Sequence, residues 1–287
     1  MHAMFYGAAA FNLPLSQWDV SNVFDISDMF HGAIKFNQPL EQWNVSNVTS
    51  IHSIFEYARE FNQPLASWNV SGVCNMRRVF KHAESFNQTL NGWDVYKVYT
   101  MPEMFQGAYK FNSSIEEWDV SKVICMEQMF YDAQVYNQPR LKWNVSRVSD
   151  MKSMFARAYE FNQWLNHWDV SNVRDMTFMF SMAHSFNQPL SNWKIYDYYY
   201  LHSMFRNALR FNQSINEWNF PKNSDVGSML EGADSFGQGL SNKWWKHRDL
   251  IFGRRCTEVI QPKEEQRNHR PGYLHFFNTK WPKNHLM

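Results

Sequence analysis

At 287 residues and a net charge of +1, the chain is long enough to bury one large core or two small ones, and its overall charge selects no partner. Three cysteines, Cys74, Cys125 and Cys256, are too few for a disulfide framework and suit a reducing compartment. No apolar run reaches about 18 residues, and the first apolar stretch follows no basic segment and is broken by Asn12 and Pro14, so neither a membrane span nor a secretory signal is expected.

The chain carries 13 Trp, 24 Phe and 16 Met, and their spacing explains the excess. Trp18 is followed by Trp43, Trp68, Trp93, Trp118, Trp143, Trp168, Trp193 and Trp218 at a constant interval of 25. An alanine keeps its place from the first unit, at Ala8, to Ala233; a phenylalanine stands three residues before it through Phe205, and Phe-Asn begins three residues after it through Asn212, with Tyr136 the one replacement. A period of this length is the signature of stacked supersecondary units.

Within a unit, Trp43 and Val45 alternate with Asn44 and Ser46, the period of a half-buried strand. Ile51, Ile54, Phe55 and Ala58 then follow the three, four and seven spacing of one helical stripe. Asp25, Ser50, Asn75, Thr100, Asp150, Asp175 and Asp225 stand just before that stripe, where they can cap a helix, and Thr100 with Glu103 has the spacing of a capping box. Asn62, Gln63 and Pro64 supply the return turn. The predicted fold is therefore an α/β, leucine-rich-repeat-like solenoid over residues 1–242. It has about nine 25-residue coils, each with one short strand and one short helix, stacked into a curved parallel sheet. The constant alanine predicts a close approach that Leu would overpack, and the Asn column predicts amides bonding one coil to the next.

The tryptophans share parity with inward valines and read as core rather than as a platform for sugar rings. Sequons at Asn44, Asn47, Asn69, Asn87, Asn112, Asn144 and Asn212 mostly follow from the repeat itself. Asp19 with Asp25, and Asp169 with Asp175, read as turn and cap residues rather than calcium ligands or paired catalytic carboxylates. The 11 His show no ligand spacing, so no catalytic residue, metal or cofactor is expected. Cys74 and Cys125, two coils or roughly 9.6 Å apart, are expected to be free thiols.

Contacts are sought where the consensus breaks. Tyr96 and Tyr99 replace small or polar residues in one unit, and Tyr196, Tyr198, Tyr199 and Tyr200 cluster four units later. Lys97, Lys122 and Arg147 occupy one position in successive units as a basic stripe. Together with Arg254 and Arg255 these are the candidate partner contacts, tyrosine because it carries a large amphipathic area at low entropy cost. Residues 243–287 hold 10 basic and 4 acidic residues among aromatics, against a net −5 for residues 1–242. This segment either caps the last coil or binds a partner, with nucleic acid, an acidic protein or a membrane surface as the chemistries open to it. The first coil is in register from Met4 with nothing covering it, which predicts a protein partner or a second copy over that face.

The signature Met-Phe-x-x-Ala-x-x-Phe-Asn-Gln-Pro-Leu followed by Trp-Asp/Asn-Val-Ser-Asn-Val, well shown by residues 30–48, resembles the BspA-like surface-protein repeat. That leucine-rich-repeat-like unit occurs in mycoplasma lipoproteins, other bacterial surface proteins, algae and large DNA viruses, and the likeness covers about residues 4–240. The resemblance implies adhesion and interaction modules with no shared active site. The expected function is a non-enzymatic protein–protein interaction scaffold or a structural component of a larger assembly, such as a virion or an organellar complex, intracellular or assembly-bound. The alternative is an extracellular or cell-surface adhesin.

Overall fold

The computed structural model describes residues 1–139, 142–195, 200–219, 224–241, 244 and 247–253. Residues 50–74 show the pattern of an interior coil. Ile51, Ile54, Phe55, Ala58, Phe61, Leu65, Trp68, Val70 and Val73 point inward and are at most 2% exposed. Like meets like from coil to coil: ring centroids lie 5.7 Å apart for Phe55 and Phe80, 6.1 Å for Phe61 and Phe86, and 6.4 Å for Trp43 and Trp68. Burying one such Phe stabilises by about 1.5–3 kcal/mol, and only a neighbouring coil can bury it.

Neither the helix nor the strand expected in each coil forms; among the described residues the coils hold turns and isolated bridges. Over residues 51–58, Ile54, Glu56 and Ala58 donate to carbonyls three residues back, at 3.2, 3.1 and 3.0 Å. The intervening N–H groups of Ser53, Phe55 and Tyr57 turn the other way and donate to Arg77, Val79 and Lys81 of the next coil, at 3.0, 3.0 and 2.7 Å. Ser53 and Tyr57 have φ of +53° and +59°, a left-handed conformation that an α-helix does not accommodate. The reason is spacing. A helix is about 10–12 Å across and keeps its donors to itself, whereas backbone bonded coil to coil stacks at about 4.8 Å. Consecutive turns keep the apolar stripe and release every second donor along the stack.

Without a helical layer wider than the rest of the coil, the reason for expecting curvature is gone. The parallel sheet is reduced to single bridges such as Asp25 to Ser50 and Thr100 to Cys125. Trp43 and Val45 do point inward, but the chain turns beside them: Asn44 Oδ1 accepts the Ser46 N–H at 3.2 Å, and Val45 O accepts the Val48 N–H at 2.9 Å. The expected helix caps close turns instead. Asp25, Asn75, Asp150, Asp175 and Asp225 each accept, through Oδ1, the N–H two residues on. Glu103, expected to complete a capping box with Thr100, turns to Arg78 and Lys81 of the preceding coil.

Two side-chain columns add to the backbone bonds. Trp43 Nε1 donates to Leu15 O of the preceding coil at 3.0 Å, and the same bond recurs at Trp68, Trp93, Trp118 and Trp218. Asn12 Oδ1 accepts the Asn37 N–H at 2.9 Å and Gln38 Nε2 at 3.0 Å; Asn37 repeats this for Asn62 and Gln63, and the column runs on to Asn212, which accepts the Gly237 N–H. At the last coil, helix α1 (Arg248–Ile251) stands where a further coil would: Leu230 donates to Ile251 O at 2.9 Å, and Ile251 and Trp244 are buried. In the first coil Met4 and Trp18 are 49% and 36% exposed, unlike their buried counterparts.

Candidate functional site

In residues 94–99 the same inward valines that build the core aim the variable residues outward. Val95 and Val98 are buried, so Tyr96, Lys97 and Tyr99 stand on the outer edge, the two tyrosines about half exposed. Asp94 Oδ1 accepts the Tyr96 N–H at 3.1 Å and fixes the turn. Tyr99 is held through its backbone, donating to Cys74 O at 3.0 Å and accepting from the Ile124 N–H at 2.9 Å. One coil on, Lys122 Nζ lies 3.7 Å above the Tyr96 ring centroid, a cation–π contact. Arg147, exposed, follows in the same column.

The structure therefore gathers Tyr96, Lys97, Tyr99, Lys122 and Arg147 on one edge. Tyr200 is separate: it is 59% exposed and bridges Asp175 and Asp225, four coils or roughly 19 Å further along the stack. Tyr196, Tyr198, Tyr199, Arg254 and Arg255 lie outside the described residues.

Sequence reasoning passed over Ile124, 42% exposed on the same edge, and Arg174, exposed two coils beyond it. Both occupy the variable position before each bridging residue, which carries no consensus to break. Trp164, 54% exposed and stacked on His167 at 4.9 Å, was legible as a tryptophan replacing the turn proline. Also passed over was a set of ion pairs on another face, whose signal was opposite charges spaced by 25. Arg78 meets Glu103 at 2.9 Å, Arg157 meets Asp132 at 3.1 Å, and Arg206 meets Glu231 at 3.2 Å. Burial pushes the Glu103 carboxyl up, but hydrogen bonds from Arg78 and Lys81 outweigh it and hold the group below its ordinary value.

The acidic residues weighed as metal or catalytic groups close turns. Asp19 accepts the Ser21 N–H at 2.9 Å, and its carboxyl is lowered first by the Ser21 side chain and then by that backbone bond; the Asp25 carboxyl, raised by partial burial, is lowered on balance by Ser27. Asp150 is raised by burial, with Asp175 in the next coil adding to the shift. Among the described residues no group of three or more His, Cys, Asp or Glu is placed to hold a metal ion. Cys74 and Cys125 are free, and burial pushes the Cys125 thiol up. Asn87, Asn112 and Asn212 are rungs of the amide column, and Asn47 Nδ2 donates to Ser21 O at 2.8 Å, so these sequons serve the stack.

Among the described residues no helix is long and apolar enough to cross a membrane. A search of the curated proteins gives no match. The family described as "Mycoplasma protein of unknown function, DUF285" matches three overlapping stretches, residues 1–91, 64–163 and 140–244, and the chain belongs to this repeat family.

Proposed function

We propose that the chain is a non-enzymatic solenoid of the BspA-like type, serving as a protein–protein interaction scaffold or a structural component of a larger assembly, intracellular or assembly-bound. The supporting observation is the division within each coil. The constant apolar positions are buried, while Tyr96, Lys97, Lys122 and Arg147 depart from the repeat on one outward edge that Tyr99 shares. Exposed tyrosines held on a rigid backbone make good anchors because little side-chain freedom is lost on contact.

A photo-crosslinking residue in place of Tyr99, compared in cells with one in place of the exposed Lys35 on the ion-paired face, tests the scaffold reading. A discrete adduct from position 99 alone is expected. Equal adducts from both positions, or none from either, would sink it.

A further inference from the structure

We propose that the edge carrying Lys97, Lys122 and Arg147 docks an extended acidic polypeptide segment whose carboxylates alternate with apolar side chains; this rests on the interaction reading above. On another face several cations meet anions in the adjacent coil, as Lys35 does with Glu60, Arg59 with Glu84 and Arg206 with Glu231. The column of Lys97, Lys122 and Arg147 has no such pairing. Three cations follow one another, with Gly72 and Asn172 at the two ends, and none is in an ion pair with a described residue, although Lys122 is near enough to Asp119 to help lower its carboxyl. Like charges facing each other across adjacent backbone segments repel. A row of three like charges without an ion-pair partner is what an anionic partner neutralises.

The surroundings select the kind of anion. Tyr99 and Ile124, about half exposed, offer apolar surface beside the cations. A peptide side chain can use that surface; a phosphate backbone cannot. Lys122 lies over one face of Tyr96, which takes that face from a base or a sugar ring. Asp94 and Asp119 stand three residues before Lys97 and Lys122, and Asn144 before Arg147, each accepting its own turn N–H, so the row suits a few spaced carboxylates better than a continuous polyanion. The cation row spans two coil steps, roughly 10 Å, which about three extended residues cover.

The full chain and three labelled probes read by fluorescence anisotropy test the proposal: a peptide of roughly ten residues alternating Glu and Leu, its Gln-for-Glu counterpart, and an oligo-dT strand of similar span. The Glu-Leu peptide should bind, weaken with added salt, and bind about tenfold tighter than the Gln peptide. Lys97→Glu with Arg147→Glu should lower its affinity by about tenfold or more. Because the reversals relieve repulsion within the row, the variant's melting midpoint should not fall, which separates a lost contact from a lost fold. Glu-Leu binding indifferent to the reversals would overturn the assignment of this edge. Equal binding of the Gln peptide, lost on Tyr99→Ser, would overturn the acidic partner and keep the interaction reading. Tighter oligo-dT binding, sensitive to the same reversals, would put nucleic acid in its place. Failure of all three probes overturns the proposal and leaves the scaffold reading to the crosslinking experiment.

Discussion

Replacing Tyr136 with Phe should stabilise the protein. Tyr136 is the single departure in a column of phenylalanines, fully buried, with its ring 5.7 Å from Phe111, 6.3 Å from Phe161 and 4.1 Å from Phe130. Its hydroxyl is buried and has no hydrogen-bond partner among the described residues. A buried hydroxyl left unpaired costs about 1–3 kcal/mol, whereas the contacts of one oxygen atom are worth a few tenths of that scale, so the net gain should be about 1–2 kcal/mol. For a chain of this size that raises the melting midpoint by about 2–4 °C per kcal/mol. Urea unfolding should show a higher midpoint at unchanged slope, since the same surface is exposed. The gain should also grow in alkali. Burial pushes the Tyr136 phenol far above its ordinary value of about 10, so above that pH the unfolded chain ionises while the folded one does not, and stability falls; the Phe variant lacks this loss. A neutral or destabilising Tyr136→Phe, with no divergence in alkali, would mean that the hydroxyl is bonded after all.

Three further perturbations probe the bonds between coils. Asn112→Ala removes the acceptor of the Asn137 N–H, at 2.9 Å, and should cost about 1–3 kcal/mol in urea unfolding, with an exposed control such as Asn69→Ala costing less. Gly107 has φ +66°, and a Cβ there would lie 2.3 Å from His82 Nδ1, so Gly107→Ala should cost about 1–2 kcal/mol from backbone conformation plus the displacement of the imidazole, and less in a His82→Gly background. Glu103, held below its ordinary value of about 4.3 by Arg78 and Lys81, contributes stability that is present above that pH and lost as pH falls through the folded value. Glu103→Gln should therefore flatten the acid limb of a stability-versus-pH curve, and an unchanged limb refutes that role.

The interior was legible in the sequence because burial is periodic: Trp43, Phe55, Ala58 and Phe61 announce themselves by recurring every 25 residues, and all are buried. The path of the chain between them was not. A three, four and seven spacing is produced equally by a helix and by consecutive turns with every fourth residue left-handed, and the side chains at the left-handed positions, among them Ser53, Tyr57, Arg78 and His82, give no common signal. Glycine marks the conformation at Gly32, Gly107 and Gly232, which occupy the same position as Tyr57 and His82 in other coils. The candidate edge was half legible: Tyr96 and Lys97 break a consensus, whereas Ile124 stands where none exists, and the ion-paired face shows only when charges are compared 25 residues apart.

The invariance of the 25-residue interval follows from how each coil boundary is closed. Phe55 N–H reaches Val79 O, Asn62 N–H reaches Asn37 Oδ1 25 residues back, and Trp68 Nε1 reaches Leu40 O 28 residues back. These bonds lie at different points around the coil. One residue inserted between any two of them would shift one set against the other and leave buried donors unpaired, each costing about 1–3 kcal/mol. Backbone variation is thereby restricted within the described coils, and the inward aromatic columns are kept by like-on-like stacking. The outward side chains remain free to change, and only several changed together on adjacent coils make a surface of useful size. Tyr96, Lys97, Tyr99, Lys122, Ile124 and Arg147 satisfy that condition across three successive coils. Under the interaction reading, partner choice resides in that run of residues, and a related stack of identical geometry with serine and asparagine at those positions should leave the same partner unbound.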